Sequence, residues 1–228
     1  MILKNWKVFE LVWLTTFLTI ATIITLTTKD SLFNYFVLIT GVFCVVLAAK
    51  GHLWTYIFGF VNSFAYAYVA YKNALFGELG LNILFFVPMN IIGFIMWKKK
   101  MIKTTVIMRA LKRKQQVFLL LICCLGIFVL GLGLSLIETQ NTPYIDATTN
   151  ILSIIATFLM VSRFKEQWLL YIALNIFTIL MWYIRTINGS GDGLMMLVMW
   201  SAFLVNAFYG YYNWNKQAKI STKESVGI

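Results

Sequence analysis

The chain is poor in charge, proline, histidine and acid. Of its 228 residues 12% are charged, about half the share in an ordinary soluble domain. Low charge combined with 17% aromatics excludes a disordered chain, which would show the reverse. Two prolines exclude collagen-like or linker-rich material. The single histidine, His52, falls in a short turn and reads as a surface residue, so no His-based metal site or catalytic triad can be assembled. Cys44, Cys123 and Cys124 all lie in apolar runs and read as small buried hydrophobes, not as disulfides or metal ligands. A G-x-x-x-x-G-K-[ST] loop is missing, so the chain is not expected to hydrolyse a nucleotide.

What is present is apolar surface: 61% of the residues are hydrophobic. Apolar stretches run over 8–28, 32–49, 54–71, 79–97, 116–137, 147–162, 167–187 and 193–214, with short polar ends. About 20 residues of helix cross the roughly 30 Å of hydrocarbon in a bilayer. Backbone groups in lipid must be paired within the segment, so each run is predicted helical. A β-barrel would alternate over segments of about ten residues, and Ile151-Leu-Ser-Ile-Ile-Ala-Thr-Phe-Leu-Met160 does not alternate. The fold class is therefore all-α integral membrane.

Basic residues set the orientation. With Lys98–Lys114 placed in the cytoplasm, 16 of the 19 Lys/Arg lie on that side; Lys29, Lys72 and Arg185 face outside with five of the eight acids. The C-terminus is then cytoplasmic, and the net charge of +11 is mostly an orientation signal. The first run carries Glu10 and seven threonines, and fits equally a spanning helix or an amphipathic helix at the interface.

An ordered series of residues occurs twice. Lys50, Trp54, Asn62, Asn90 and Trp97 are answered by Lys165, Trp168, Asn175, Asn206 and Trp214, with the extra length assigned to the Gly189–Gly191 loop. Each copy holds three helices, so two copies of the same orientation need one further crossing between them. The predicted organisation is an N-terminal hydrophobic or interfacial helix (1–30), a first repeat (31–97), a basic cytoplasmic loop (98–115), a connecting helix (116–137), a second repeat (138–214) and a cytoplasmic tail (215–228). This is a seven-helix 3+1+3 core of parallel repeats, SWEET-like, plus one helix. Transporters with parallel repeats bind substrate near the midplane where the repeats meet.

Asn62, Asn82, Asn90, Asn175 and Asn206 sit inside predicted spans. A buried amide without a partner costs about 1–3 kcal/mol, and helix–helix hydrogen bonding accounts for many such residues. As a set whose members recur in both copies, they also suit an uncharged polar ligand. Tyr66, Tyr183, Trp182 and Trp200 are the nearby aromatics, the two tryptophans deep enough to stack on a flat ring; Trp54, Trp97, Trp168 and Trp214, at helix ends, read as interfacial belts. The interiors of the seven later spans hold no charged residue or histidine; Glu78, Asp146 and Arg185 are at edges. Ion-coupled carriers usually need such groups in the membrane, so facilitated diffusion of a neutral or charge-delocalised solute is expected.

Gly51-His-Leu-Trp-Thr-Tyr-Ile-Phe-Gly-Phe-Val-Asn62 through Pro88-Met-Asn-Ile-Ile-Gly-Phe-Ile-Met-Trp97 resembles the first half of PnuC-type vitamin transporters. Asp146–Met160 followed by Lys165-Glu-Gln-Trp-Leu-Leu-Tyr-Ile-Ala-Leu-Asn175 resembles the second, with Glu166-Gln167-Trp168 where the family usually has Glu-Asn-Trp. The resemblance covers about residues 32–214. It implies uptake of nicotinamide riboside across the inner (cytoplasmic) membrane, trapping by a cytoplasmic kinase, and no cofactor. The five asparagines occupy positions that bear amides in the family pattern. Relatives carry thiamine, riboflavin or deoxynucleosides, which are the alternative substrates.

A membrane-embedded enzyme would need a nucleophile or metal cluster that the spans do not offer. A scaffold recruiting an acidic partner through Lys98–Lys114 is the other alternative; that run is accounted for by topology near anionic lipid and needs no nucleic acid. Self-association into a homo-oligomer is left open by the sequence.

Overall fold

A computed structural model describes residues 6–28, 32–72, 79–102, 104–136, 143–187 and 193–226. Its helices are α1 (Val8–Thr28), α2 (Leu32–Lys50), α3 (Thr55–Lys72), α4 (Leu81–Lys98), α5 (Arg113–Ser135), α6 (Pro143–Val161), α7 (Gln167–Ile187) and α8 (Gly193–Val226). Between α4 and α5 lies a small antiparallel pair of strands, β1 (Met101–Ile102) and β2 (Thr105–Val106), within the basic segment 98–115. Among the described residues five helices (α1, α2, α4, α5 and α6) are long and apolar enough to cross a membrane. α6 starts earlier than the apolar run because Pro143 occupies its first position, where a missing N–H costs nothing. α8 continues as helix beyond Trp214 to Val226, about 51 Å in all, so the expected tail is the end of a helix.

The chain divides into two compact units, Met1–Ile95 and Met96–Ile228. The division falls inside α4, just before Trp97, rather than after it.

In the first unit α1 runs antiparallel along α2. At one end the buried Glu10 carboxylate forms an ion pair with Lys50, the last residue of α2, while also accepting from the Lys7 backbone N–H at 2.8 Å. At the other, Thr22 and Tyr35 hydroxyls meet at 2.7 Å. These two contacts hold α1 along the length of α2. α4 opens with a π-helical segment, Leu81–Phe86, in which the Val87 N–H donates to the Asn82 carbonyl. Pro88 follows at once; it has no N–H to donate and its ring crowds the preceding turn, and the wider turn accommodates both effects.

In the second unit the basic segment is pinned rather than loose. The Arg109 N–H donates to the Arg163 carbonyl at 2.8 Å, and the Lys165 N–H donates to the Arg109 carbonyl at 2.9 Å. Arg163 Nη1 donates to the Ile107 carbonyl at 3.1 Å. The buried Glu166 carboxylate accepts from the Leu111 N–H at 3.1 Å and from Gln116 Nε2 at 3.2 Å. Lys98, Lys99, Lys100, Arg109, Lys112, Arg113 and Lys114 remain exposed. α5 shows mostly apolar side chains outward, Phe118, Leu120 and Leu125 among them, as a lipid-facing helix should.

The α2–α3 and α6–α7 corners match residue for residue. Gly51 and His52 donate to the Ala48 and Leu47 carbonyls; Arg163 and Phe164 donate to those of Met160 and Leu159, all at 2.9 Å. Thr55, Tyr56 and Ile57 then donate to His52, Leu53 and Trp54, as Gln167, Trp168 and Leu169 do to Phe164, Lys165 and Glu166. Gly51 and Arg163 hold the same left-handed position, φ +69° and +67°, which ends a helix by this pair of bonds. One aromatic from each corner covers a glycine on another helix of its own unit: a Cβ on Gly93 would lie 2.1 Å from the Tyr56 ring, and one on Gly210 would lie 2.6 Å from the Trp168 ring.

This register corrects the pairing expected from the sequence. Thr55 matches Gln167, so Asn62 matches Leu174 and Ser63 matches Asn175. With Gly93 matched to Gly210, Asn90 matches Ala207 and Met89 matches Asn206. The expected pairs Asn62/Asn175 and Asn90/Asn206 are each out by one position, a rotation of about 100° on a helix; Trp54/Trp168 is out by two and Lys50/Lys165 by three, since Trp54 matches Glu166 and Lys50 matches Ser162. Trp97/Trp214 keeps its place.

Two predictions follow from the packing. Gly93→Ala and Gly210→Ala should each lower the thermal midpoint of the purified protein by several degrees or abolish its recovery, because the ring cannot move aside cheaply. Gly133→Ala, with nothing within 4 Å, should be neutral or gain up to about 1 kcal/mol. Glu10→Gln should destabilise by about 3 kcal/mol by leaving the Lys50 charge without its partner, and Glu10→Gln combined with Lys50→Met should recover much of the loss. Thermal unfolding in detergent checks both.

Candidate functional site

Amides placed among helices have to be read against the bonds they already make. Asn62 on α3 donates to the Val37 carbonyl at 2.6 Å and to the Thr40 hydroxyl at 3.0 Å, both on α2. Gly41 gives it room, since a Cβ there would lie 3.3 Å from Asn62 Nδ2. Asn90 on α4 donates to the Phe86 carbonyl at 2.8 Å and, weakly, to the Ser63 hydroxyl at 3.4 Å. Gly59 is required here: its Cβ would lie 2.4 Å from Asn90 Oδ1. Asn62 thus uses its NH2 group to tie α3 to α2, Asn90 uses its own mainly within α4 and only weakly toward α3, and what each can offer a ligand is its carbonyl oxygen. Asn82 is buried in the π-helical turn of α4, and Tyr66 on α3 is half-buried.

In the second unit Asn175 on α7 and Asn206 on α8 are buried, on helices that pack together. Trp200 on α8 is half-buried and edge-on to Phe203, centroids 5.5 Å apart. Trp182 lies on α7 with its side chain outside the described residues. Tyr183 is 56% exposed, on the outer surface of α7, where it resembles the lipid-facing residues more than a ligand contact.

The helix-end tryptophans depart from expectation. Trp54 is exposed, as an interfacial belt requires, but Trp97, Trp168 and Trp214 are buried. Trp214 packs on Trp97 at 5.7 Å and on Trp168 at 6.1 Å between centroids. Trp97 Nε1 donates to the Met160 carbonyl at 3.0 Å. They form an aromatic cluster inside the second unit because each has a neighbouring ring or a glycine to lie against, which a single-residue reading of helix ends does not reveal. Among the cysteines Cys123 is buried and Cys44 half-buried beside Thr55, but Cys124 is exposed on α5 and so is not a core residue.

Sequence reasoning passed over Gln167, noting it only as a departure from a motif. It is fully buried beside Glu166 and Trp168. His52 is half-buried; burial first, then the Lys50 charge, hold its imidazole below the usual histidine range, so it is neutral at pH 7. Among the described residues no group of three or more His, Cys, Asp or Glu could hold a metal. The arrangement offers neutral hydrogen-bonding groups and aromatic faces inside helices without charge.

Residues 31–216 match the family model described as nicotinamide mononucleotide transporter. The chain is 36% identical to the nicotinamide riboside transporter PnuC of Neisseria mucosa over 220 residues, covering 94% of this chain and 84% of that protein. To the protein of the same name from Haemophilus influenzae it is 34% identical, covering 95% and 93%. A solved structure, the crystal structure of the vitamin B3 transporter PnuC, superposes with a TM-score of 0.82 at 34% identity, covering 96% of this chain and 95% of that one. The homologues are named as transporters, not enzymes. The chain is a helical membrane protein of the nicotinamide mononucleotide transporter family.

Proposed function

We propose that this protein is a uniporter for nicotinamide riboside, working by facilitated diffusion, with a cytoplasmic kinase trapping the product. The observation that carries this reading is the missing charge. The family description names a mononucleotide and the relatives a riboside; the two differ by a phosphate. A phosphate carried through the spans would need Lys or Arg inside them, because a charge left unpaired in a low-dielectric interior is costly. The interiors of the apolar stretches from 32–49 to 193–214 provide none, which favours the riboside. Its positive charge is spread over a pyridinium ring, and aromatic faces and carbonyl oxygens can hold a delocalised cation without a counter-ion.

The helices after α1 are read as two parallel three-helix repeats joined by α5, in the cytoplasmic membrane, with the basic segment and the C-terminus inside. Asn175 and Asn206 are assigned to the ribose hydroxyls, with the carbonyl oxygens of Asn62, Asn82 and Asn90 as further acceptors. Trp182, Trp200 and Tyr66 are assigned to stacking. Tyr183 is the weakest member of the set on its exposure.

Labelled nicotinamide riboside should enter proteoliposomes faster than empty vesicles, and excess unlabelled mononucleotide should not compete. Entry no faster than into empty vesicles would end the reading; competition by the mononucleotide would move the substrate to the phosphorylated form. Asn175→Ala should reduce uptake about tenfold with little change in thermal midpoint, at about 1 kcal/mol for each lost hydrogen bond. Asn62→Ala and Asn90→Ala should lower the midpoint as well, because their NH2 groups are bonded within the first unit; circular dichroism melts beside uptake assays separate the two effects.

A further inference from the structure

The two matched corners differ at one buried position. Thr55 is fully buried and satisfied: its hydroxyl donates to the Cys44 carbonyl at 2.8 Å. Its counterpart, Gln167, is fully buried too, but neither Oε1 nor Nε2 has a hydrogen-bond partner. The next residue repeats the pattern, for Trp168 is buried and its Nε1 is also without a partner. Trp168 cannot turn away to find one, because its ring is held over Gly210 and against Trp214.

Buried polar atoms are almost always paired. Two successive side chains here present two donors and one acceptor with nothing to meet them. A structural role does not explain the glutamine, since a threonine closes the same corner in the first unit with its hydrogen bond made. Nor does charge pairing, since the neighbouring Glu166 already accepts from Leu111 and Gln116.

From this we infer that Gln167 is a specificity-determining residue that reads a primary carboxamide on the ligand. A carboxamide is the neutral group that meets both atoms of another carboxamide at once: Gln167 Nε2 donates to the ligand carbonyl, and Gln167 Oε1 accepts from the ligand NH2. A carboxylate in the same place offers no N–H, so Gln167 Oε1 would face a negatively charged oxygen. A site built around a hydrogen bond rejects the analogue that cannot make it. The inference rests on the reading of the substrate as nicotinamide riboside, and it adds discrimination against the acid form of the same riboside.

The test uses the full-length protein in detergent, titrated with nicotinamide riboside and separately with nicotinic acid riboside, as wild type and as Gln167→Thr. The variant installs the residue that the first unit carries at this corner, and Gln167→Met, close in size, serves as a second. Wild type should bind the amide at least about tenfold more tightly than the acid. Both variants should weaken amide binding by about tenfold or more and lose the preference, while the ligand-free thermal midpoint stays level or rises, because two unpartnered buried atoms have been removed. Variants that keep the wild-type affinity and preference would overturn the role of Gln167 and leave the substrate reading intact. A variant midpoint that falls by several degrees without ligand would also overturn it, marking Gln167 as structural. Wild type that binds neither riboside would overturn the substrate reading itself.

Discussion

Inside a bilayer no water is available to a backbone or side-chain polar group, so every such group has to find its partner within the protein. The structure is organised by this constraint. The threonines of α1 return their hydroxyls to carbonyls one turn back, as Thr15, Thr19, Thr22, Thr25 and Thr27 do. Asn62 spends its NH2 group on the neighbouring α2, and Asn90 spends its own on the Phe86 carbonyl one turn back in α4. Glu10 is buried only because Lys50 and the Lys7 N–H meet it. Against that background, a buried Gln167 with both amide atoms unmatched stands apart, and the same constraint that explains the other residues makes it a candidate for meeting a ligand.

Close packing at a few glycines follows from the same economy. With no hydrophobic drive between helices in lipid, association depends on close fit and on hydrogen bonds. Gly93 and Gly210 let Tyr56 and Trp168 lie flat on a neighbouring helix, and Gly41 and Gly59 let Asn62 and Asn90 approach. The left-handed corner at Gly51 and Arg163 aims those aromatics. Arg163 adopts the strained backbone without glycine's freedom, and its side chain bonds to the Ile107 carbonyl, so the corner also holds the basic segment in place.

Much of this was legible in the sequence. Long apolar runs give the helices because lipid allows little else. The duplication showed in its tryptophans and asparagines, but its register did not: Asn62 and Asn175 attract the eye as a pair, whereas the backbone bonds at the corner match Ser63 to Asn175. Side-chain identity is a poor guide to register when a one-residue slip turns a helix by about 100°. Helix-end tryptophans looked like interfacial belts, yet three of the four are buried, because a neighbouring ring or a distant glycine decides that and neither is local in sequence. Cys124 was misread for a similar reason, since an apolar run does not say which face meets lipid. The π-helical turn before Pro88 and the strand pair within the basic segment carried no signal strong enough to be read.

On the proposed reading, span interiors without charge make this an uncoupled carrier. The most direct test is the steady-state accumulation ratio of labelled nicotinamide riboside in proteoliposomes, with the membrane potential clamped at zero because the solute is a cation. Under an imposed proton or sodium gradient the account predicts that inside and outside concentrations become equal and stay equal. Accumulation above the external concentration that collapses when the gradient is dissipated would contradict it.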